Sequence, residues 1–224
     1  MTYIPDLDAK PQRPRIPRTL DAVELRVLGS LMEKQLATPE YYPLTLNALV
    51  AAANQKSNRE PVMELGEDEI QRALHRLQDE KLVWKVMGGR AVRFDHNLDT
   101  VWHLNRSEKA LITLLFLRGP QTAGELRGRS DRLQQFESVA VVEQLLREMA
   151  AHSEPLVQRL ARRSGQKEER WAHTVGGEIA EPAPVEAPVA AVGGEPLSTR
   201  VANLEERIVT LERILAELKE KLGE

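Results

Sequence analysis

The sequence predicts an α+β, mainly helical fold in which one plan occurs twice. Three observations carry this. Apolar residues recur at one-turn spacing in segments of helical length, each set of three such segments is followed by two short alternating strands, and Gly or Pro stands at the joints. With 224 residues, 42% of them hydrophobic, the chain can support real cores in one or two domains.

From Asp21 to Gln35, the residues Val27, Leu28, Leu31 and Met32 make the first apolar stripe, and Asp21 with Glu24 has the form of a capping box. Pro39 and Pro43 interrupt the chain, after which Thr45 caps a shorter helix with Leu46, Leu49, Val50 and Ala53 on one face. A third helix begins near Glu67 with three acids in its first turn, suiting the positive end of the helix dipole, and buries Ile70, Ala73, Leu74 and Leu77. LVWKVM and RAVRFDH then alternate around Gly88-Gly89 as a hairpin. The order repeats. Ser107 opens the apolar helix ALITLLFL, stopped by Gly119-Pro120; Thr122 and Glu125 form a second capping box; Val142, Leu145, Leu146 and Met149 line a third helix. LVQRLAR and EERWAHT close the unit as a hairpin turning at Ser164 to Lys167.

Three helices followed by a hairpin is the winged-helix plan, a helix-turn-helix whose third helix can enter a major groove beside the hairpin. The expectation is therefore tandem winged-helix domains at 17–104 and 105–175, after a disordered Pro-rich arm at 1–16. Residues 176–196 hold only Gly, Glu, Ile, Ala, Pro and Val and predict a semi-extended Pro/Ala-rich linker. Beyond it, Leu197, Val201, Leu204, Ile208, Leu211, Leu215, Leu218 and Leu222 alternate spacings of four and three, a coiled-coil helix over 197–222. Val201 and Ile208 at a with leucine at d favour a parallel homodimer, and Arg200 and Arg207 face Glu205 and Glu212 of the partner helix across it.

The chain has no cysteine, which removes disulfides, thiolate zinc sites and cysteine nucleophiles and suits a reducing compartment, so the cytoplasm is expected. No apolar run approaches the roughly 20 residues of a membrane span, and the first residues lack the apolar segment of a secretory signal, so no membrane partner is expected. His75, His96, His103, His152 and His173 show no ligand spacing and predict no metal site. There is no phosphate-cradling glycine loop and no nucleophile elbow, and Glu168-Glu169 read as solvated acids of a hairpin turn. Neither enzyme activity nor a cofactor is expected.

Duplex DNA is the leading partner class. The first third helix offers Gln71, Arg72, His75, Arg76, Gln78 and Asp79 away from its stripe, with Arg72 and Arg76 one turn apart, so that one could meet a guanine edge and the other a phosphate. An ordinary solvated helix face presents the same pattern. The first hairpin adds Lys85, Arg90 and Arg93. In the second unit the third helix is acidic, with Glu137, Glu143 and Glu148 around Arg147, yet its hairpin carries Arg159, Arg162, Arg163, Lys167 and Arg170. That combination also suits a protein partner, and an interaction adaptor is the rival to a DNA-binding regulatory dimer. Residues 105–175 hold 12 basic and 9 acidic side chains, too small a surplus to decide.

LTLNALVAAANQKSNREPVMEL, with YYP just before it and QTAGELRGR and FESV later, closely resembles the YceH family of bacterial proteins over about residues 19–175. The resemblance implies tandem winged helices and carries over no catalytic residues. Within the same string, NQKSNREPV is polar for seven residues where a compact helix-turn-helix needs a connection of about three or four. Asn54, Ser57 and Asn58 can close Asx and Ser turns on neighbouring amides, which makes the run a shaped loop. Alternatively, Gln55, Lys56, Asn58 and Arg59 donate hydrogen bonds to phosphate or to a partner carboxylate.

Overall fold

The computed structural model of the chain describes residues 18–88, 91–162 and 168–177. The N-terminal arm, the Pro/Ala segment beyond residue 177 and the heptad positions from Leu197 to Leu222 lie outside the described residues. The described part is α+β: helix α1 (Ala22–Ala37), strand β1 (Leu44–Thr45), α2 (Leu46–Ala53), α3 (Glu67–Asp79), β2 (Val83–Gly88), β3 (Ala91–His96), α4 (Leu98–Val101), α5 (Arg106–Arg118), α6 (Ala123–Ser130), α7 (Val139–Ala150), β4 (Val157–Leu160) and β5 (Arg170–His173).

The helices start where local chemistry supplies caps. Asp21 accepts from the Glu24 amide at 2.8 Å while the Glu24 carboxylate accepts from the Asp21 amide at 2.9 Å. Thr45 caps α2 through the Ala48 amide, and Thr122 and Glu125 cap α6 reciprocally. At α5 the expectation of Ser107 is corrected: Asn105 accepts from the Glu108 amide at 2.9 Å and Glu108 accepts from the Asn105 amide at 3.0 Å, so the helix begins at Arg106. Asn is as good a cap as Ser, and only Asn105 stands three residues before the glutamate.

Both hairpins are antiparallel. In the first sheet, of order β1-β3-β2, Leu44 faces Phe94 and Met87 faces Val92; in the second, Val157 faces His173. The repeat extends to detail. Just before the cap of α2, Leu44 pairs with Phe94 of β3, and just before the cap of α6, Gln121 pairs with Trp171 of β5 through two backbone hydrogen bonds of 3.0 and 2.7 Å.

One apolar cluster runs through both repeats. Two helices sit at its middle, because α1 is buried on every side from Glu24 to Met32 and α5 from Glu108 to Leu117. They meet closely at Gly29, where an added Cβ would lie 2.8 Å from a Leu117 methyl carbon and 3.1 Å from the Phe116 Cβ. A polar network bridges the same junction. Lys109 of α5 donates to Gln35 of α1 and to Asp99 of α4, each at 2.6 Å, and Gln35 also faces His96 Nε2 at 2.9 Å. Tyr42 donates to Asp95 at 2.6 Å and accepts from the His96 amide at 2.8 Å. Among the described residues no helix is long and apolar enough to cross a membrane.

Candidate interaction surfaces

The polar run after α2 is held from inside by two arginines. The last carbonyls of a helix lack intrahelical donors, and those of α2 receive guanidinium groups. Arg59, 4% exposed, donates to the Ala52 carbonyl at 2.8 Å, to both oxygens of Glu33 at 3.2 and 2.6 Å, to the Asn58 carbonyl and to Gln55 Oε1. Arg26, 1% exposed, donates to the Ala53 carbonyl at 3.0 Å and to the Pro61 carbonyl at 2.5 Å. Burial, followed by the nearby Arg59 charge, lowers the Arg26 pKa to about 10. Asn54 closes the other end, exchanging hydrogen bonds of 2.8 Å with both backbone groups of Leu65.

From outside, the loop is held by the second repeat. The Glu60 amide donates to the Leu117 carbonyl at the end of α5 at 2.8 Å, and Arg118 donates to Asn58 Oδ1 at 2.9 Å, with Asn58 at φ 59°. Arg59, Gln55 and Asn58 are thus engaged within the fold. Lys56 alone of the four candidates is exposed and without a partner among the described residues.

On α3, Gln71, Arg72 and His75 are exposed and unpartnered among the described residues, but Arg76 is committed. It pairs with Asp21 at 2.5 Å and with Glu24 at 2.9 Å, alongside Arg18. Burial opposes the Glu24 charge, yet hydrogen bonds from Arg18, the Asp21 amide and Arg76 bring its pKa down to about 2. The free part of α3 sets Arg72 against Glu67, Asp68 and Asp79. In the first hairpin, Lys85 is exposed, Arg93 donates to the Pro43 carbonyl at 2.7 Å, and Arg90 lies outside the described residues. Its surface is mainly apolar: Trp84 is 47% exposed, Met87 81%, and Val86 and Val92 are exposed with them.

The second hairpin contributes fewer free cations than its sequence promises. Arg170 donates to the Pro120 carbonyl at 2.8 Å and to Glu125 at 3.1 Å, and Arg159 pairs with Glu169 at 2.9 Å. Arg162 is exposed without a partner among the described residues, while Arg163 and Lys167 lie outside them. Glu143 of α7 accepts from the Trp171 indole at 3.0 Å and from Arg147, so part of that acidic face braces the hairpin.

A cleft of about 700 Å³ opens where the loop meets the second repeat, lined among others by Glu33, Lys34, Lys56, Arg129 and Arg132 over Leu114, Leu117 and Leu133. Sequence reasoning missed Lys34, Arg129 and Arg132 because they come from separate elements. The signal present was the arginine run RGRSDR at 127–132, which lies on neither a third helix nor a hairpin. Among the described residues no group of three or more His, Asp or Glu is placed to hold a metal ion.

Comparison with known proteins places the chain among relatives. A family profile described as "Protein of unknown function, DUF480" matches residues 20–166. The chain is similar to a UPF0502 protein of Solibacter usitatus, 43% identical over 201 residues that cover 89% of this chain and 96% of that one. It is also similar to one from Geobacter sulfurreducens, 51% identical over 160 residues covering 71% and 73%, and to one from Azoarcus sp., 42% identical over 215 residues covering 95% of each.

Proposed function

The chain belongs to the DUF480 family, the YceH-like UPF0502 proteins of bacteria, and from that premise we propose a cytoplasmic, non-catalytic protein-interaction adaptor: two winged-helix repeats that bind protein, paired by a C-terminal coiled coil. The observation that carries the reading is the first hairpin, where Trp84 and Val86 on one face and Met87 and Val92 on the other are exposed at the position where a DNA-reading wing needs cations. Aromatic residues and methionine are enriched in protein interfaces, whereas phosphate contacts need Lys and Arg. Charge supports the same reading: with Arg76 paired, the outer face of α3 is acidic, and α7 exposes Glu148. The heptad seam from Leu197 to Leu222 would double each contact by bivalency.

A second reading, a DNA-binding regulatory dimer, is favoured by Gln71, Arg72 and His75, which stand free on α3, with Lys85 and Arg162 exposed on the hairpins. One comparison separates the two. Fluorescence anisotropy against random duplex DNA at about 50 and 200 mM salt exposes any phosphate-driven binding, which falls steeply over that range. The adaptor reading expects none, and expects a Met87→Asp, Val92→Asp variant of unchanged melting temperature to lose protein partners retained by the wild type. Salt-sensitive duplex binding that Arg72→Ala weakens would overturn it in favour of DNA.

A further inference from the structure

We infer that the cleft between the 55–58 loop and the end of α6 is a binding site for a small anion carrying two or three phosphate groups. The site is independent of the adaptor reading, since it involves neither the apolar hairpin nor α3.

Four cations converge on it from three separate places: Lys34 near the end of α1, Lys56 on the loop, and Arg129 and Arg132 at the end of α6 and just beyond. The only acid in the lining among the described residues, Glu33, is spoken for, because Arg59 holds both its oxygens and Lys34 approaches one of them at 3.8 Å. Lys56 and Arg132 are exposed and have no partner among the described residues. Arg129 is aimed: its guanidinium donates to Oε1 of Gln121 at 2.7 Å, and Gln121, 1% exposed, is itself fixed by donating to the Leu114 carbonyl at 3.0 Å. The contact of Arg129 with Glu125 is looser, at 3.6 Å.

The surroundings add to the excess of positive charge. Arg118 has a buried Nε with no acceptor. Its pKa is lowered first by burial and then by the charge of Arg129, with Arg59 acting the same way and Glu60 and Glu125 against it. Leu114, Leu117 and Leu133 form an apolar floor that strengthens electrostatic attraction above it. Arginine and lysine in such a cluster match phosphate oxygens, arginine in the forked geometry and lysine as a point charge. A singly charged carboxylate would leave most of these donors unused. The volume of about 700 Å³ lies in the range of small-molecule sites and suits a compact polyanion.

Such a ligand would contact both repeats and stabilise the folded chain by mass action. The probe is sodium tripolyphosphate, titrated into the full-length protein at about 50 mM salt with calorimetry and thermal melting as readouts. The expected result is a saturable rise in melting temperature, smaller with pyrophosphate and least with sulfate. A Lys56→Ala, Arg132→Ala variant should melt at the wild-type temperature without ligand and bind roughly tenfold or more weakly, because two charge-assisted contacts are lost. Arg72→Ala with Arg162→Ala, remote in function from the cleft, should bind as the wild type does. Lys56→Gln alone serves if the double variant folds poorly. No heat and no stabilisation at about 1 mM tripolyphosphate, a concentration at which a site this weak would have no use, overturns the inference. Equal binding by the Lys56→Ala, Arg132→Ala variant does so as well. The phosphate source is read in a second arm: random duplex DNA that displaces tripolyphosphate, and fails to bind the same variant, identifies a nucleic-acid backbone as the occupant, whereas no displacement identifies a free polyphosphorylated molecule.

Discussion

Arg26 and Arg59 end at the carbonyls that close α2, and their charge is used there rather than at the surface. Replacing Arg59 with Met leaves the Glu33 carboxylate and the Ala52 carbonyl without their donors, so a loss of about 3–5 kcal/mol in urea unfolding is expected. Lys56→Ala, by contrast, should leave the urea midpoint unchanged. The sequence showed the length and polarity of this loop and the turn-forming role of Asn54; it could not show that Arg59 points inward, because an inward arginine depends on Glu33 of another helix. Two histidines give the molecule a pH dependence of definite sign. Burial lowers both His96 and His173 to about 4, and His173 packs edge-on to Phe116 with its Nδ1 buried and unpartnered. Unfolded histidine titrates near 6.5, so between about 6.5 and 4 the unfolded chain binds protons that the folded chain refuses. Stability therefore falls as pH drops through that window. Below it, Glu24 adds a further loss as pH falls from its ordinary 4.5 toward about 2. Thermal melting across pH 7 to 4 checks this, and His173→Phe should flatten the histidine part of the slope.

Helix ends were legible because capping is local: Asp21 with Glu24 and Thr122 with Glu125 form their reciprocal bonds as the spacing predicts. Asn105 and Glu108 carry the same three-residue spacing, and they rather than Ser107 cap α5. Strand β1 was not legible at all, since two residues have no period of their own and are ordered only by pairing with β3. The short helix α4 escaped for a similar reason, its place being set by buried Leu98 and Trp102. The most demanding contact between elements is α1 against α5 at Gly29. A Gly29→Val substitution forces side-chain branches into space already held by Leu117 and Phe116, and an overpacking cost of about 1–3 kcal/mol is expected from denaturant unfolding. Leu117→Ala should recover part of that cost when combined with it, a positive coupling measurable in a double-mutant cycle.

For the molecule as a whole, the α+β character and duplicated order were readable from pattern, while the way the repeats meet was not. That junction depends on Gln35, Lys109, Asp99 and His96, residues with no shared period. The candidate cations divided on the same ground: Arg72 and Lys85 are as exposed as their pattern implies, whereas Arg76, Arg93 and Arg170 serve the fold. The heptad seam predicts a dimer, and sedimentation at tens of micromolar should show one that Leu211→Asp with Leu215→Asp converts to monomer, each substitution placing a charge in the seam. Finally, α1 has no outer face from Glu24 to Met32, nor α5 from Glu108 to Leu117. A gene cut between the repeats would give two fragments, each with a central helix stripped of half its neighbours, and neither would be expected to stay in solution alone. Mixed together, however, the two fragments should find each other and regain the native spectrum, which makes this protein a candidate for split-reporter complementation as well as a duplicated fold.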